Sequence, residues 1–308
     1  MGGLLDVILG YDCNLACDYC TITPEMRRQA LATEQVVAAM RSARARGYDT
    51  ISFTGGEPTM RRDLIGLVRA ARKLGFIDVK VQTNGLVLGH GDNARRLREA
   101  GVDRIHLSIH THAAEAYDEL VRSPGSYPRM VAGLEQVVAS GAAVVADVIL
   151  KRGTVDRLAD AIAWVRARGV RAADLWFVSL TDGNRDNVGS LPRMTEAMPA
   201  ISRALTYARA HGMTVRSLHV PRCLLGPDHV HAYDPGADRV QVVTPEATFE
   251  LKDSRLAGRI HVPACGGCPF EQVCPGVRPD YLEVYGDAEV AAARGQAPTM
   301  RPRRLAVV

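Results

Sequence analysis

The sequence predicts an α/β fold of parallel strands joined by right-handed crossovers, either a barrel or a doubly wound sheet. Three observations predict it. Ala- and Arg-rich segments of helical periodicity alternate with short β-branched runs. A glycine stands between each such helix and the next strand, at Gly47, Gly75, Gly101, Gly141, Gly169 and Gly212. Each fits the position just past a helix end, where the chain turns left-handed and a Cβ would clash. Finally, 308 residues, 47% apolar and 23% charged, suit one large domain plus a small one and exclude disordered or fibrous architectures.

The opening run Leu4-Leu5-Asp6-Val7-Ile8-Leu9 carries an acid, lacks a basic start and is too short for a signal segment, so it reads as the first strand. Strands follow Gly47, Gly75 and Gly101, as Tyr48–Phe53, Phe76–Val81 and Val102–Leu107. The long interval from Gly101 to Gly141 includes a turn-rich linker, Val121–Tyr127, between two short helices. The interval from Gly169 to Gly212 includes the polar Thr181–Asn187 and a helix from about Met194 to His211. Beyond Gly212 the alternation is expected to stop, and Val240–Leu251 reads as a β-hairpin. The expected division is therefore 1–212 for the core and 213–308 for a small module. Trp164 and Trp176 read as core, and Tyr281 and Tyr285, four apart, as helix packing. No run approaches about 18 apolar residues, so no membrane span is expected, and the expected location is cytoplasmic. The net charge of +4 comes without a basic block, so no nucleic-acid partner is expected.

The chain has seven cysteines. In a reducing compartment, clustered cysteines point to metal or redox chemistry rather than disulfides. Cys13, Cys17 and Cys20 form C-x3-C-x2-C directly after the first strand, where strand ends face the functional mouth of a barrel or open sheet. Three thiolates at this spacing can hold three irons of a 4Fe-4S cluster and leave the fourth open. Structural zinc would call for a fourth ligand, and catalytic zinc usually carries histidine or carboxylate; no histidine stands near these three cysteines. Cys223, Cys265, Cys268 and Cys274 make a complete set of four, which by count fits zinc or a 4Fe-4S cluster.

The second strand ends in Gly55-Gly56-Glu57-Pro58, where two glycines let backbone approach a ligand closely and leave N–H and C=O groups to bind it. Together these motifs resemble the radical SAM superfamily, and the resemblance covers roughly residues 4–180. It implies a partial (β/α)6 TIM-like barrel with a small C-terminal auxiliary-cluster module of β-hairpin plus helix. It implies further that Cys13, Cys17 and Cys20 hold a 4Fe-4S cluster whose open iron is chelated by S-adenosylmethionine. Tyr19 would be the aromatic before the third cysteine, Gly55, Gly56, Glu57 and Pro58 would position the methionine part, and Asn84, in Gln82-Thr83-Asn84-Gly85, and Ser108 would complete the cofactor site. The tail cysteines resemble the shortened "twitch" relative of SPASM domains, which favours an auxiliary 4Fe-4S cluster over zinc. The implied reaction is reductive cleavage of S-adenosylmethionine to a 5′-deoxyadenosyl radical that abstracts hydrogen from a peptide or small-molecule substrate, with electrons from flavodoxin or ferredoxin. Oxidation or cross-linking is the expected outcome; a small-molecule dehydrogenase or cyclase, or a non-catalytic iron–sulfur or zinc protein, are the alternatives.

Alternation along the fourth strand sets His106, Ser108 and His110 on one face and Ile105, Leu107 and Ile109 on the other. His110 and Asp147, the latter on the fifth strand, are candidate substrate contacts, and an inward Asp147 should meet a cation or hydroxyl. Lys151 is a candidate for the S-adenosylmethionine carboxylate. His219 and Arg222 are expected to be structural.

Overall fold

The computed structural model describes residues 2–234, 238–254 and 260–296, so the last dozen residues of the expected 213–308 module lie outside the described residues. Strand and helix alternate as β1 (Gly3–Ile8), α1 (Thr33–Ala45), β2 (Tyr48–Thr54), α2 (Leu64–Lys73), β3 (Asp78–Thr83), α3 (Asn93–Ala100), β4 (Arg104–Ser108), α4 (Ala114–Val121), α5 (Ser126–Ala139), β5 (Ala143–Leu150), α6 (Leu158–Ala167), β6 (Ala172–Phe177) and α7 (Met194–Ala210). All six expected helix-end glycines take positive φ, from 64° to 121°. The outward faces of the strands carry Leu5, Val7, Ile51, Phe53, Val79, Val81, Ile105 and Leu107, all fully buried. The opposite face lines an open lumen and is polar: Asp6, Ser52 and Lys80 stand in register across β1–β3, and Ser108, Asp147 and Asp174 across β4–β6, with His106 two residues before Ser108 on the same face.

Contrary to the sequence expectation, alternation does not stop at Gly212. A seventh strand, β7 (Thr214–Leu218), runs parallel to β6, and β8 (Ala232–Tyr233) follows it, with the short helix α8 (Arg222–Leu225) between. The expected hairpin forms as β9 (Val240–Val243) and β10 (Thr248–Glu250), but β9 lies parallel to β1. The sheet therefore runs β10-β9-β1-β2-β3-β4-β5-β6-β7-β8, a partial TIM-like barrel that stays open. The described part of 213–308 thus shares the sheet at both ends, and adds α9 (Pro279–Tyr285) and α10 (Ala288–Ala293). Trp164 packs against the core as expected, though only partly buried, whereas Trp176 departs from expectation. Trp176 faces the lumen, and Trp164 stacks under Arg168 with the guanidinium 3.8 Å from its ring. Tyr281 and Tyr285 pack as expected, ring centroids 5.0 Å apart. Among the described residues, no helix is long and apolar enough to cross a membrane.

Candidate functional site

The loop after β1 carries Cys13, Cys17 and Cys20, and backbone from three directions fixes it. Gly56 N–H donates to the Gly10 carbonyl (2.9 Å) and Glu57 N–H to that of Asp12 (2.8 Å). Asp18 N–H reaches Leu120 (2.9 Å) at the end of α4, and Gly183 N–H reaches Thr21 (2.8 Å) from the loop after β6. Arg27 caps the carbonyls of Cys13 (3.2 Å) and Leu15 (2.8 Å). From the tail, Glu246 accepts the Tyr11 hydroxyl at 2.7 Å. The donors of Gly56 and Glu57 are thus spent on the cysteine loop and are not free for a ligand, as the sequence alone suggested. A Cβ on Gly56 would stand 2.1 Å from the Asp12 carbonyl oxygen, so only glycine lets the two loops touch this closely.

Glu57 does not face a ligand either. It is buried, and its carboxylate accepts from Thr59 N–H (2.9 Å), the Thr59 hydroxyl, the Thr83 hydroxyl (2.6 Å) and Asn84 N–H (2.7 Å). Burial pushes the carboxyl above its ordinary range despite those donors. Glu57 therefore ties the end of β2 to the end of β3. Pro58, also buried, opens the short turn that carries Thr59. Asn84 Nδ2 reaches back to Asn14 Oδ1 at 2.8 Å, over the cysteine loop.

The three thiols are half-buried. Burial pushes Cys17 up to about 12, helped by the neighbouring Cys20, and raises Cys13 as well. Such sulfurs stay protonated unless a cation compensates them, which is the condition that iron ligation meets. In the tail, Cys223, Cys265, Cys268 and Cys274 line one cavity with His261 and Glu271. Burial pushes Cys223 up to about 11, followed by the other three sulfurs. Sulfurs on one tetrahedral zinc, at about 2.3 Å from it, stand roughly 3.8 Å apart. Among the described residues, the only set of three such ligand atoms within 4.8 Å of one another is His106, Asp147 and Asp174.

The lumen brings together His106, Asp147, Asp174, Trp176 and Arg216. Asp147 Oδ1 lies 3.1 Å from His106 Nδ1 and accepts from Trp176 Nε1 at 3.3 Å. Asp174 receives the Arg216 guanidinium in a two-pronged pair. Arg216 supplies the counter-charge that a metal ion would otherwise bring. Asp147 Oδ2 is buried and, among the described residues, has no hydrogen-bond partner. Ser108 pairs in register with Asp147 on the same inner face. Asp174 and Arg216 escaped the sequence reading, although period-two alternation through β6 sets Asp174 beside Asp147.

Two candidates land elsewhere than expected. Lys151 Nζ pairs with Asp18 Oδ2 at 2.7 Å, so it braces the cysteine loop. His110 is buried and its Nε2 meets the Tyr19 hydroxyl. His219 and Arg222 serve structure as expected: His219 contacts the Phe177 carbonyl (3.3 Å), and Arg222 donates to the His229 carbonyl (2.9 Å).

A family model described as "Radical SAM superfamily" matches residues 7–164. The chain is 33% identical over 138 residues to a probable GTP 3′,8-cyclase of Saccharolobus solfataricus, the match covering 44% of each. It thus spans less than half the length of the curated relatives it matches. Among solved structures, SuiB of Streptococcus suis bound to the precursor peptide SuiA superposes with a TM-score of 0.70 at 13% identity, over 92% of this chain and 73% of that one. Native anSMEcpe with bound AdoMet and Kp18Cys peptide gives 0.58 at 14% identity, over 69% and 63%. At such identities the likeness shows the fold.

Proposed function

Because the chain belongs to the radical SAM superfamily, enzymes that use a 4Fe-4S cluster and S-adenosylmethionine, we propose that it performs a radical oxidation or cross-linking of a peptide or small metabolite bound in the lumen. When bound, the cluster and S-adenosylmethionine supply an electron and a 5′-deoxyadenosyl radical able to take hydrogen from a C–H bond. Cys13, Cys17 and Cys20 would hold that cluster. The carrying observation is that the three-cysteine loop is stitched to Gly55–Pro58 by the Gly56 and Glu57 N–H groups, which brings the cluster ligands against the cofactor loop.

Each side chain then has a task. Gly55, Gly56 and Pro58 shape the backbone against which the methionine part lies, and Glu57 keeps that loop registered with Asn84. Tyr19 and Ser108 border the adenosine part. Lys151 holds Asp18, and with it the cysteine loop, in place. Asp147 Oδ2 is the open acceptor for a substrate hydroxyl or amine, with Trp176 and His106 fixing its other oxygen. The four tail cysteines would hold an auxiliary 4Fe-4S cluster, an assignment that their shared cavity supports. Residues 213–308 act as the auxiliary module, and the external electron donor is a flavodoxin or ferredoxin.

A second reading, nucleotide cyclisation, is favoured by the 33% identity to proteins named probable GTP 3′,8-cyclase. One anaerobic experiment tests the proposal. Purified protein should carry about eight irons and release 5′-deoxyadenosine with dithionite and S-adenosylmethionine, and Cys13→Ala should abolish that release. No 5′-deoxyadenosine from fully loaded protein would overturn it, and about four irons with one zinc would reassign the tail. Consumption of added GTP would select the cyclase reading.

A further inference from the structure

We infer that the Arg294 guanidinium donates a hydrogen bond to the cluster held by the four tail cysteines and eases its one-electron reduction. The inference rests on the auxiliary 4Fe-4S cluster proposed above. Arg294, at the C-terminal end of α10, lines the same cavity as Cys223, Cys265, Cys268 and Cys274. Its Nη2 donates to the Gly267 carbonyl at 3.3 Å, which holds the guanidinium against the Cys265–Cys268 turn. Its Nε is buried and, among the described residues, has no hydrogen-bond partner. A buried, charged N–H left without an acceptor is costly, and the acceptors this cavity gathers are sulfurs. Its other polar side chains are committed to the protein: His261 Nε2 lies 2.9 Å from the Cys274 carbonyl, and Glu271 accepts from Gly267 N–H at 3.2 Å. Arg222, beside Cys223, differs as well. All three of its nitrogens donate to carbonyls, those of Val273 (3.4 Å), His229 (2.9 Å) and Ala232 (3.3 Å).

An arginine stays charged throughout the working pH range, so the cavity carries a fixed cation whose Nε–H is left over. Four thiolates give a 4Fe-4S cluster a net negative charge. Reduction adds one electron to it, with no bond made or broken and no proton moved. A positive donor on a cluster sulfur stabilises the more negative state, so Arg294 favours the reduced form. It neither ligates iron nor carries the electron; it sets how readily the tail cluster accepts one.

The test compares the reconstituted wild type with Arg294→Met, which removes charge and donor, and Arg294→Lys, which keeps the charge and moves the donor. Each is titrated with dithionite at controlled potential. The electron paramagnetic resonance signal that S-adenosylmethionine leaves unchanged marks the tail cluster, and the one that it alters marks the Cys13–Cys20 cluster. Losing one hydrogen bond from a charged donor should disfavour reduction of the tail cluster about tenfold in Arg294→Met, about 59 mV to the negative side. Arg294→Lys should shift the same way by less, and the other signal should keep its potential in both. An arginine that only braced the fold would lower stability and leave the potential alone. An unchanged or more positive tail potential in Arg294→Met overturns the inference, as does an equal shift of both signals. If Arg294→Met loads no tail cluster, Arg294→Lys decides: a negative shift supports the inference and no shift overturns it. A loaded tail cluster indifferent to Arg294 sinks this inference alone. A tail that binds zinc sinks it together with the auxiliary-cluster assignment, and release of 5′-deoxyadenosine by the same protein leaves the radical reaction standing.

Discussion

Glu57 gathers four donors from two strand ends into one buried carboxylate. Glu57→Ala strands those donors without water, so urea denaturation should show a loss of about 3 kcal/mol, and Glu57→Gln a smaller one. Its identity was legible in Gly-Gly-Glu-Pro, but its task was not, because the partners lie on β3 and sequence spacing says nothing about which strand end comes near. His110 offers a pH test. Its folded value is depressed, so the unfolded chain binds its proton first as pH falls. The stability it contributes is full above about 6.5 and drains away towards about 4, by up to about 3 kcal/mol. Denaturation curves at pH 7 and pH 5 should therefore diverge, and His110→Phe should narrow that gap. Alternation placed His110 on the inner face with Ser108; that Tyr19 would cover it could not be read from either segment alone.

Between elements, the two loops that build the site meet without side chains. Gly56→Ala puts a methyl against the Asp12 carbonyl and should cut iron loading severalfold while far-ultraviolet circular dichroism holds. Gly66→Ala is the control. A Cβ there meets nothing within 4 Å, and a helix-interior alanine should leave loading intact and add about 0.5–1 kcal/mol of stability. The helix-then-glycine punctuation was readable as far as Gly212, whereas the continuation of the parallel sheet into β7 beyond it was missed. Its Arg216 reads as a solvent residue when seen alone, and only the facing Asp174 on β6 makes an inward charge affordable.

For the molecule as a whole, the tail is bolted to the barrel through Arg278. This buried guanidinium donates to the carbonyls of Phe177 (2.9 Å) and Val178 (2.6 Å) at the end of β6 and pairs with Asp280 (2.8 Å). Arg278→Ala should cost about 3–5 kcal/mol and make limited proteolysis cut within 213–296 well before the barrel. Barrel and hairpin were both legible in the sequence, but the docking of β9 on β1 was not, because pairing between segments more than 200 residues apart leaves no local trace. That pairing has a consequence for biosynthesis. β1 is made long before its second neighbour, which is complete only when residue 243 emerges. At about 5–20 residues per second the strand leading into the first three cysteines waits roughly ten to fifty seconds with a bare edge. The Tyr11–Glu246 bond beside that loop closes only after the hairpin has followed.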